Sequence, residues 1–416
     1  MCDWGKTLTL VPSNNSLLLD AEIDAVFAPI ESASTLPPRA FTDRAFFEAE
    51  REAIFFGGWA ALCLVDAVPE VGDAVPLSFI GAPLLLVRVS ETAVRVFHNL
   101  CPYDQCPVLL EPVRGAETLT GAYHGLNYDL NGILVSAPFW NGGASDSAES
   151  ISHPERNLLE ISSNVFGNIV FVNVSGRSNI EFDEYVAPLR ERFANLDFAA
   201  LEVGRDSRGT RAISMLTCKG NWKTHHENAC INIYHESTVH HRYRVSDEVP
   251  RVTKDGVKRY EEIVDRGLRG LAFRREAVGA TYDSLGIPDL RTRDGRPFDC
   301  NIIVSLYPNL YASLIGEHLH LTIVNPVDED GVSVESASYF DSEIATATEY
   351  NELRSLVEAS WASAGEEDAE VIASIHAARS SPVAAPGYYA PFWDRPHYNF
   401  TQQVVLDLGF KRSDER

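Results

Sequence analysis

The pattern of apolar and polar positions divides the chain into strand-like and helix-like stretches. Short apolar runs bounded by Gly, Asp or Asn, such as PLLLVRV, AVRVFHN and GNIVFVNV, predict β-strands over residues 59–175. A second set of runs predicts another strand-rich region over residues 300–340, namely NIIVSLY, LYASLI, HLHLTIVNP and VSVESASYF. The two regions are separated by a more helical stretch.

Helical spacing of apolar residues marks the remaining segments. FTDRAFFEAEREAIFFGGW predicts an amphipathic helix that Thr42 can cap. DEYVAPLRERFANL and the segment around GNWKTHHENACINIYHESTVHH also predict helix in parts. Two further helices, ATATEYNELRSLVEASWAS and EEDAEVIASIHAAR, are predicted on either side of Ala364–Gly365. This order indicates an α+β protein in which a small β domain is inserted ahead of a larger α+β domain.

Charge and composition narrow the class of partner. Asp and Glu number 59 against 35 Lys and Arg, and the formal net charge of −24 disfavours nucleic acid and anionic membranes as partners. No apolar run approaches the ~20 residues that cross a bilayer, and the N-terminus shows no secretion signal. The seven Cys are odd in number and scattered, which favours reduced thiols. We therefore expect a cytoplasmic protein.

The densest group of potential metal ligands is a set of five histidines between residues 225 and 241. The stretch HESTVH is one residue longer than the H-E-x-x-H zinc motif, so His235 and His240 would lie about 140° apart on an ideal helix. They can share a metal if a π-bulge or a helix end lies between them. A carboxylate would then complete the 2-His-1-carboxylate set of ferrous iron. The alternative is that some of these histidines are surface-helix residues.

Over essentially its whole length, the chain resembles the α subunits of Rieske non-haem iron oxygenases, which include aromatic-ring-hydroxylating and choline-monooxygenase-like enzymes. The resemblance is carried by VFHNLC, YHGLNYDLNG, TLPPRAFTDRAFFEAEREAIFFGGW, NWK, Glu227–Asn228, Tyr234–His235, His240 and EEDAEVIASIHAARSS. It implies a small antiparallel β Rieske-like domain and a larger helix-grip-like catalytic domain with a central antiparallel sheet. It also implies a trimer, and His235, His240 and Asp368 as ligands of a mononuclear Fe(II).

The resemblance also implies domain boundaries. Residues 1–44 would form an N-terminal arm that belongs to the catalytic domain, residues 45–175 the Rieske-like domain, and residues 176–416 the catalytic domain.

The chain departs from this family at its cluster ligands. A Rieske [2Fe-2S] cluster needs two Cys on one iron and two His on the other. The corresponding positions here are Cys101, Tyr103, Gly121 and His124, so each iron would lack one protein ligand. We expect the β domain to keep its fold and to lack the cluster. Two alternatives remain open, in which Cys106 substitutes as a ligand or another metal binds Cys101, Cys106 and His124.

A second departure concerns the path between the two metal centres. In the family an acidic residue three positions before the first iron histidine bridges the mononuclear iron to the cluster of a neighbouring subunit. Asn232 stands at that catalytic-site position here. Its amide can form hydrogen bonds, but it carries no charge and relays no proton. The two departures together predict that the electron path between subunits has been abandoned.

These observations predict an oxygenase that acts on a small organic substrate and O2 without its own cluster relay. Electrons would come from a separate redox protein, from a complete homologous α subunit, or from the substrate. The alternatives are a non-catalytic partner subunit in a mixed ring and a non-redox lyase or hydrolase built on the same triad. Residues of the second strand region could line the substrate pocket, or could alternate with some facing solvent: Tyr307, Tyr311, His318 and His320.

Overall fold

The computed structural model describes residues 17–143, 151–229, 231–241, 251–274 and 286–412. The chain divides into two compact units. The larger one combines Met1–Phe55 with Asp183–Arg416, and the smaller one is Phe56–Phe182. Cys2 and Cys230 lie outside the described residues, and the five described cysteines are free thiols.

The smaller unit is built from antiparallel β-sheet. Its six-stranded sheet has the order β1-β9-β8-β4-β3-β2, and a three-stranded sheet has the order β5-β6-β7. The strands are β1 (Ala60–Leu64), β2 (Ala74–Phe79), β3 (Ala82–Arg88), β4 (Val94–His98), β5 (Thr118–Thr120), β6 (Asn127–Asp129), β7 (Leu134–Ser136), β8 (Glu160–Phe166) and β9 (Ile169–Asn173).

One apolar core supports both loops that carry the cluster positions. Cys101, Leu109, Leu126 and Tyr128 are buried in it together with residues of β3 and β4. Because both loops place side chains in this core, apolar burial stabilises their positions independently of a bound cluster.

The larger unit contains an antiparallel sheet of the order β10-β17-β16-β15-β14-β13-β12, with β11 paired to β17. Every residue of β13 and of β15 is buried, as expected for strands that are covered on both faces. The strands are β10 (Leu201–Val203), β11 (Ile213–Lys219), β12 (Tyr260–Asp265), β13 (Leu268–Phe273), β14 (Asn301–Leu306), β15 (Leu310–Ile315), β16 (His318–Asp328) and β17 (Gly331–Asp341).

Helices accompany this sheet. They are α1 (Asp20–Phe27), α2 (Arg39–Thr42), α3 (Arg44–Glu50), α4 (Phe182–Arg192), α5 (Trp222–Asn228), α6 (Glu236–Val239), α7 (Ser342–Thr346), α8 (Asn351–Arg379) and α9 (Arg395–Asp407). The predicted α+β fold, with a small antiparallel β domain and a larger helix-grip-like domain around a central antiparallel sheet, is confirmed. None of the helices in the described part of the chain combines the length and apolar character of a membrane-crossing segment.

Two local predictions are wrong. The break at Ala364–Gly365 does not exist, because α8 continues through both residues. Thr42 is not the cap of the following helix. Thr42 ends α2, and the side chain of Asp43 accepts a hydrogen bond from the Ala45 N–H at the start of α3. Asp is the better cap at this place because its carboxylate reaches the free N–H groups of the first turn.

Candidate metal centre

The histidine segment folds as three short helical pieces. α5 is capped by the Asn221 side chain, a 3₁₀ turn over Ile233–His235 is capped by Asn232, and α6 follows at once. His235 ends the 3₁₀ turn, and His240 comes directly after α6 in an extended conformation. A helix end therefore lies between the two histidines. Their five-residue spacing, which would place them on different faces of a regular helix, lets them approach each other here.

Three side chains from two elements converge. Nε2 of His235 lies 3.4 Å from Asp368 Oδ1, and Nε2 of His240 lies 3.8 Å from the same oxygen. One ligand atom from each of the three residues lies within 4.8 Å of the others. Among the described residues, this is the only group of three His, Cys, Asp or Glu side chains with that geometry.

The outer nitrogen of each imidazole is already engaged, which fixes the inner one. His235 Nδ1 donates a hydrogen bond to the backbone carbonyl of Asn232, and His240 Nδ1 donates to Glu367 Oε2 at 3.0 Å. Because a carbonyl and a carboxylate can only accept, both Nδ1 atoms carry a proton, and in the neutral form of each imidazole the Nε2 atom presents a lone pair. The lone pairs face Asp368.

The electrostatics of the group favour a cation. Burial lowers the pKa of His235, but the hydrogen bond and charge of Asp368 raise it more, and the net pKa lies above the ordinary value. A pair of imidazole nitrogens with one carboxylate oxygen is the donor set that holds non-haem ferrous iron while leaving coordination positions open. The residues present therefore fit a mononuclear iron.

Neighbouring side chains hold the group in place. Asn228 Nδ2 donates to Asp368 Oδ1 at 3.2 Å, so α5 orients the carboxylate supplied by α8. The preceding residue, Glu227, is fastened to Arg379 of α8 at 2.9 Å and to His397 of α9 at 3.3 Å. Burial would raise the pKa of Glu227, but the Arg379 charge and the His397 hydrogen bond lower it to about 2. Glu227 is therefore an ionised anchor that ties α5 to α8 and α9.

The other histidines of the segment have different positions. His225 donates from Nε2 to the Lys219 carbonyl at 3.1 Å, and His226 donates from Nδ1 to the Pro308 carbonyl at 3.0 Å while stacking on Phe400. Burial lowers the pKa of His225 to about 4 and that of His226 to about 3. Both are neutral core residues, so a surface-helix position is wrong for them. His241 is exposed.

The side chain and the backbone carbonyl of Asn232 both accept hydrogen bonds from residues two or three positions later in the chain. Its side-chain Oδ1 accepts a hydrogen bond from the Tyr234 N–H at 3.2 Å, and its backbone carbonyl accepts the His235 proton. The amide side chain thus caps the 3₁₀ turn, while the main chain orients the histidine.

The four cluster positions of the smaller unit have unlike surroundings. Cys101 is buried, and its Sγ lies 3.4 Å from Tyr128 Oη. Tyr103 is 58% exposed and packs edge-on against His124. Gly121 offers no side chain, and its N–H and carbonyl are both used in the turn, bonding Leu126 and Gly125. The Cys101, Cys106 and His124 side chains do not form a three-ligand group in the described structure.

Asp104, which the sequence did not single out, connects the two loops. Its Oδ2 lies 2.6 Å from His124 Nδ1 in the second loop, and its Oδ1 accepts from the Cys106 N–H at 2.9 Å in the first. Burial would raise the pKa of Asp104, but the hydrogen bonds with His124, Cys106 and Cys101 lower it below the ordinary value. The sequence shows only that a carboxylate lies between Tyr103 and Cys106, and this position does not indicate that it would contact His124.

The four residues predicted beside the pocket are all buried rather than partly solvent-facing: Tyr307, Tyr311, His318 and His320. Trp361 of α8 packs over two of them. Its Nε1 donates to His318 Nε2 at 2.8 Å, and its ring stacks on His320 at a centroid distance of 4.2 Å. The same helix that supplies Asp368 therefore covers this part of the sheet.

Comparison with known proteins gives two family matches. The family described as "Ring hydroxylating alpha subunit (catalytic domain)" matches residues 199–407, and the "Rieske [2Fe-2S] domain" matches residues 58–144. The first match includes the three converging side chains, and the second includes all four positions that correspond to cluster ligands in the family.

Among curated proteins, the biphenyl dioxygenase α subunit of Metapseudomonas furukawaii is 27% identical over 214 residues, which are 50% of this chain and 45% of the relative. The benzene 1,2-dioxygenase α subunit of Pseudomonas putida is 25% identical over 226 residues, 53% of this chain and 47% of the relative. The chain thus spans about half the length of the curated relatives it matches.

Solved structures show the same fold over nearly the whole chain. Naphthalene 1,2-dioxygenase from a Rhodococcus species, bound to indole, superposes with a TM-score of 0.73 at 16% identity, covering 96% of this chain and 99% of that one. A quaternary ammonium Rieske monooxygenase in complex with γ-butyrobetaine gives a TM-score of 0.70 at 17% identity, covering 93% and 98%.

Proposed function

Because the chain belongs to the ring-hydroxylating α subunit family, we propose that it is a mononuclear non-haem iron oxygenase without a functional [2Fe-2S] relay of its own. Its substrates are O2 and a small organic molecule. The observation that carries the proposal is the convergence of His235, His240 and Asp368.

The chain's own residues prepare this site before any ion binds. Asn232 and Glu367 hold the two Nδ1 protons, so that both Nε2 lone pairs face the carboxylate. Asn228 restrains one oxygen of Asp368. A ferrous ion held by these three ligands would supply the O2 binding and redox chemistry that protein side chains lack. Keeping donors in place beforehand lowers the reorganisation that metal binding requires.

The loss of the cluster is supported by the chemistry at its four positions. Gly121 has no donor atom, and the exposed Tyr103 offers a hard phenolic oxygen instead of an imidazole. His124 Nδ1 is held by the Asp104 carboxylate. Electrons then come from a separate redox protein or from a complete homologous α subunit in a shared oligomer, for which the family's trimeric ring is the model.

Asn232 supports the same conclusion about the electron path. An amide that caps a turn cannot carry charge between metal centres or relay a proton. The iron site keeps its ligands, whereas both features of the inter-subunit path are changed.

The substrate class follows from the relatives. The curated ones are named for biphenyl and benzene, and one structural neighbour is a quaternary ammonium monooxygenase bound to γ-butyrobetaine. We propose a small organic molecule of one of these two kinds, an aromatic compound or a quaternary amine.

A second candidate function is that of a non-catalytic partner subunit. It is favoured by one observation, the absence of Cys or His at Tyr103 and Gly121, because a subunit without its own relay could serve as a structural partner of a complete one. Reconstitution separates the two. If the isolated chain with iron and a reductase system turns over no substrate, whereas a complete homologue gains activity on mixing, the partner function replaces the enzyme.

The enzyme proposal is tested by Asp368→Ala with Glu366→Ala as the matched control on α8, since Glu366 is exposed. We expect Asp368→Ala to lose iron binding and O2-dependent turnover, because two neutral imidazoles alone hold ferrous iron weakly. Glu366→Ala should retain both. Full iron retention in Asp368→Ala, measured after anaerobic reconstitution and desalting, would remove Asp368 from the ligand set.

A further inference from the structure

Glu367 is adjacent to the proposed ligand Asp368, and its carboxylate accepts hydrogen bonds from the two residues that follow α6. Its Oε2 lies 3.0 Å from His240 Nδ1, and its Oε1 accepts from the His241 backbone N–H at 3.3 Å. One carboxylate therefore binds the ring of a proposed ligand and the backbone of the next residue. Bonds to both oxygens define the direction of the His240 ring more tightly than a single bond would.

The two histidines of the triad are supported differently. His235 Nδ1 donates to the neutral backbone carbonyl of Asn232, whose own side chain is an amide that caps the turn. Within the described residues, Glu367 is the carboxylate that accepts the outer ring proton of a triad histidine. The carboxylate that is hydrogen-bonded to an outer ring nitrogen is therefore at His240.

We propose that Glu367 is a positioning residue that sets the tautomer, orientation and basicity of His240 as an iron ligand. This rests on the proposed function, in which the triad binds iron. A carboxylate on the outer nitrogen strengthens the electron donation of an imidazole to a metal and holds it in one tautomer. Glu367 itself does not touch the metal.

The geometry of α8 explains how two adjacent acids have two roles. Consecutive helical residues point about 100° apart. Asp368 thus faces the gap between the two Nε2 atoms, while Glu367 reaches behind the His240 ring. A single rigid helix fixes both the carboxylate ligand and the orientation of the opposing imidazole, so a shift of α8 would disturb both contacts together.

Charge balance supports the same role. A ferrous ion held by two neutral imidazoles and one carboxylate would leave a single net positive charge at a site whose side chains are mostly shielded from water. The Glu367 carboxylate, behind His240, would neutralise that charge. Such compensation is worth more in a partly buried site than at a surface, because solvent screening is weaker there.

The test is anaerobic titration with Co²⁺, followed by its visible absorption bands, on the full chain, Glu367→Gln and Glu366→Gln. Gln keeps the size of Glu but removes the charge, and Glu366 is the exposed neighbour. We expect Glu367→Gln to weaken Co²⁺ binding roughly 10–100-fold and to change the band intensities, which report ligand geometry. Glu366→Gln should match the unmodified chain in both.

The outcomes separate the two proposals. If the unmodified chain does not bind Co²⁺ or Fe²⁺, the metal site itself fails. If it binds and Glu367→Gln binds equally with the same spectrum, the role of Glu367 alone is refuted.

A second measurement needs no variant and so does not depend on the folding of Glu367→Gln. In the Zn²⁺-loaded unmodified chain, ¹⁵N NMR of the imidazoles should show His240 with a protonated Nδ1 and a metal-bound Nε2. Metal on Nδ1, or a freely exchanging Nδ1 proton, would contradict the assignment.

Discussion

Asp104 occupies the place where the two loops of the smaller unit meet, and it holds both of them through His124 and the Cys106 N–H. In a Rieske domain the metal cluster joins these loops by covalent bonds. Here a hydrogen-bonded carboxylate joins them. The contacts of Asp104 thus give a physical reason why the two loops can keep their positions although Tyr103 and Gly121 replace two of the family's cluster ligands.

Replacing Asp104 with Asn should therefore destabilise the protein at neutral pH by about 1 kcal/mol, since hydrogen bonds to charged groups are strong but His124 is partly exposed. Because the folded-state pKa of Asp104 is lowered, its contribution is fully present above the ordinary carboxyl pKa and is lost as pH falls through the lower folded value. Urea unfolding midpoints at several pH values measure the difference.

Glu117→Gln is the control, because Glu117 is an exposed carboxylate of the same unit. The stability gap between Asp104→Asn and the unmodified chain should narrow in acid, and that of Glu117→Gln should stay near zero. A gap for Asp104→Asn that is independent of pH would contradict the ionic role of Asp104.

The convergence of His235, His240 and Asp368 could be predicted, the two histidines from residue type and spacing and Asp368 from the family resemblance alone. The sequence could not predict that Asp104 would contact His124 or that Glu367 would contact His240. Glu367 is separated from His240 by 127 positions, and the contact exists only because α8 packs beside α6. Which side chains far apart in the sequence come into contact depends on how the helices pack, and neither hydrophobic periodicity nor helix propensity specifies that packing.

At the scale of elements, α8 shows where a local rule failed. Gly in a helix interior costs roughly 1 kcal/mol relative to Ala, so the Ala364–Gly365 pair suggested a break. Packing on both sides outweighs that cost, with Trp361 against His320 before the glycine and the buried Ile372 after it. Continuity has a functional consequence, because it fixes Asp368 relative to the residues that cover the sheet.

Gly365→Ala should stabilise the chain by ~0.5–1 kcal/mol, because the methyl group would enter open space and the unfolded chain would lose conformational freedom. The midpoint of thermal or urea unfolding measures the effect. Gly220→Ala provides the opposite case. Gly220 has a φ of +109°, and a Cβ there would lie 2.6 Å from Ile372 Cγ2, so this variant should be less stable. Destabilisation by Gly365→Ala would contradict an uninterrupted α8.

In the histidine segment, by contrast, the helix is interrupted. The sequence predicted helix only in parts, and the structure has three short pieces over residues 222–239. Asn221 and Asn232 each cap the start of one piece. These breaks bring His235 and His240 to one point, whereas a continuous helix would separate them by about 140°. The possibility of a helix end between them could be recognised from the spacing, but its location could not.

For the whole molecule, the strand order was inaccessible from the apolar pattern alone, although the two strand-rich regions and the α+β class were predicted correctly. Runs such as LYASLI and HLHLTIVNP identify β15 and β16, but they do not specify which strands pair. The family resemblance implied an antiparallel sheet in each domain, and the strand order is known only from the structure. Where the chain departs from the family pattern, at Tyr103, Gly121 and Asn232, the fold is retained, and the proposed change is one of chemistry.

The central claim is that the chain holds one mononuclear iron and no cluster. It is tested most directly by counting iron and acid-labile sulfide in protein purified and handled without oxygen. The account predicts about one iron and no sulfide per chain, since the triad is complete and each cluster iron lacks a ligand. About three irons with about two sulfides, together with a Rieske-type optical spectrum, would contradict it.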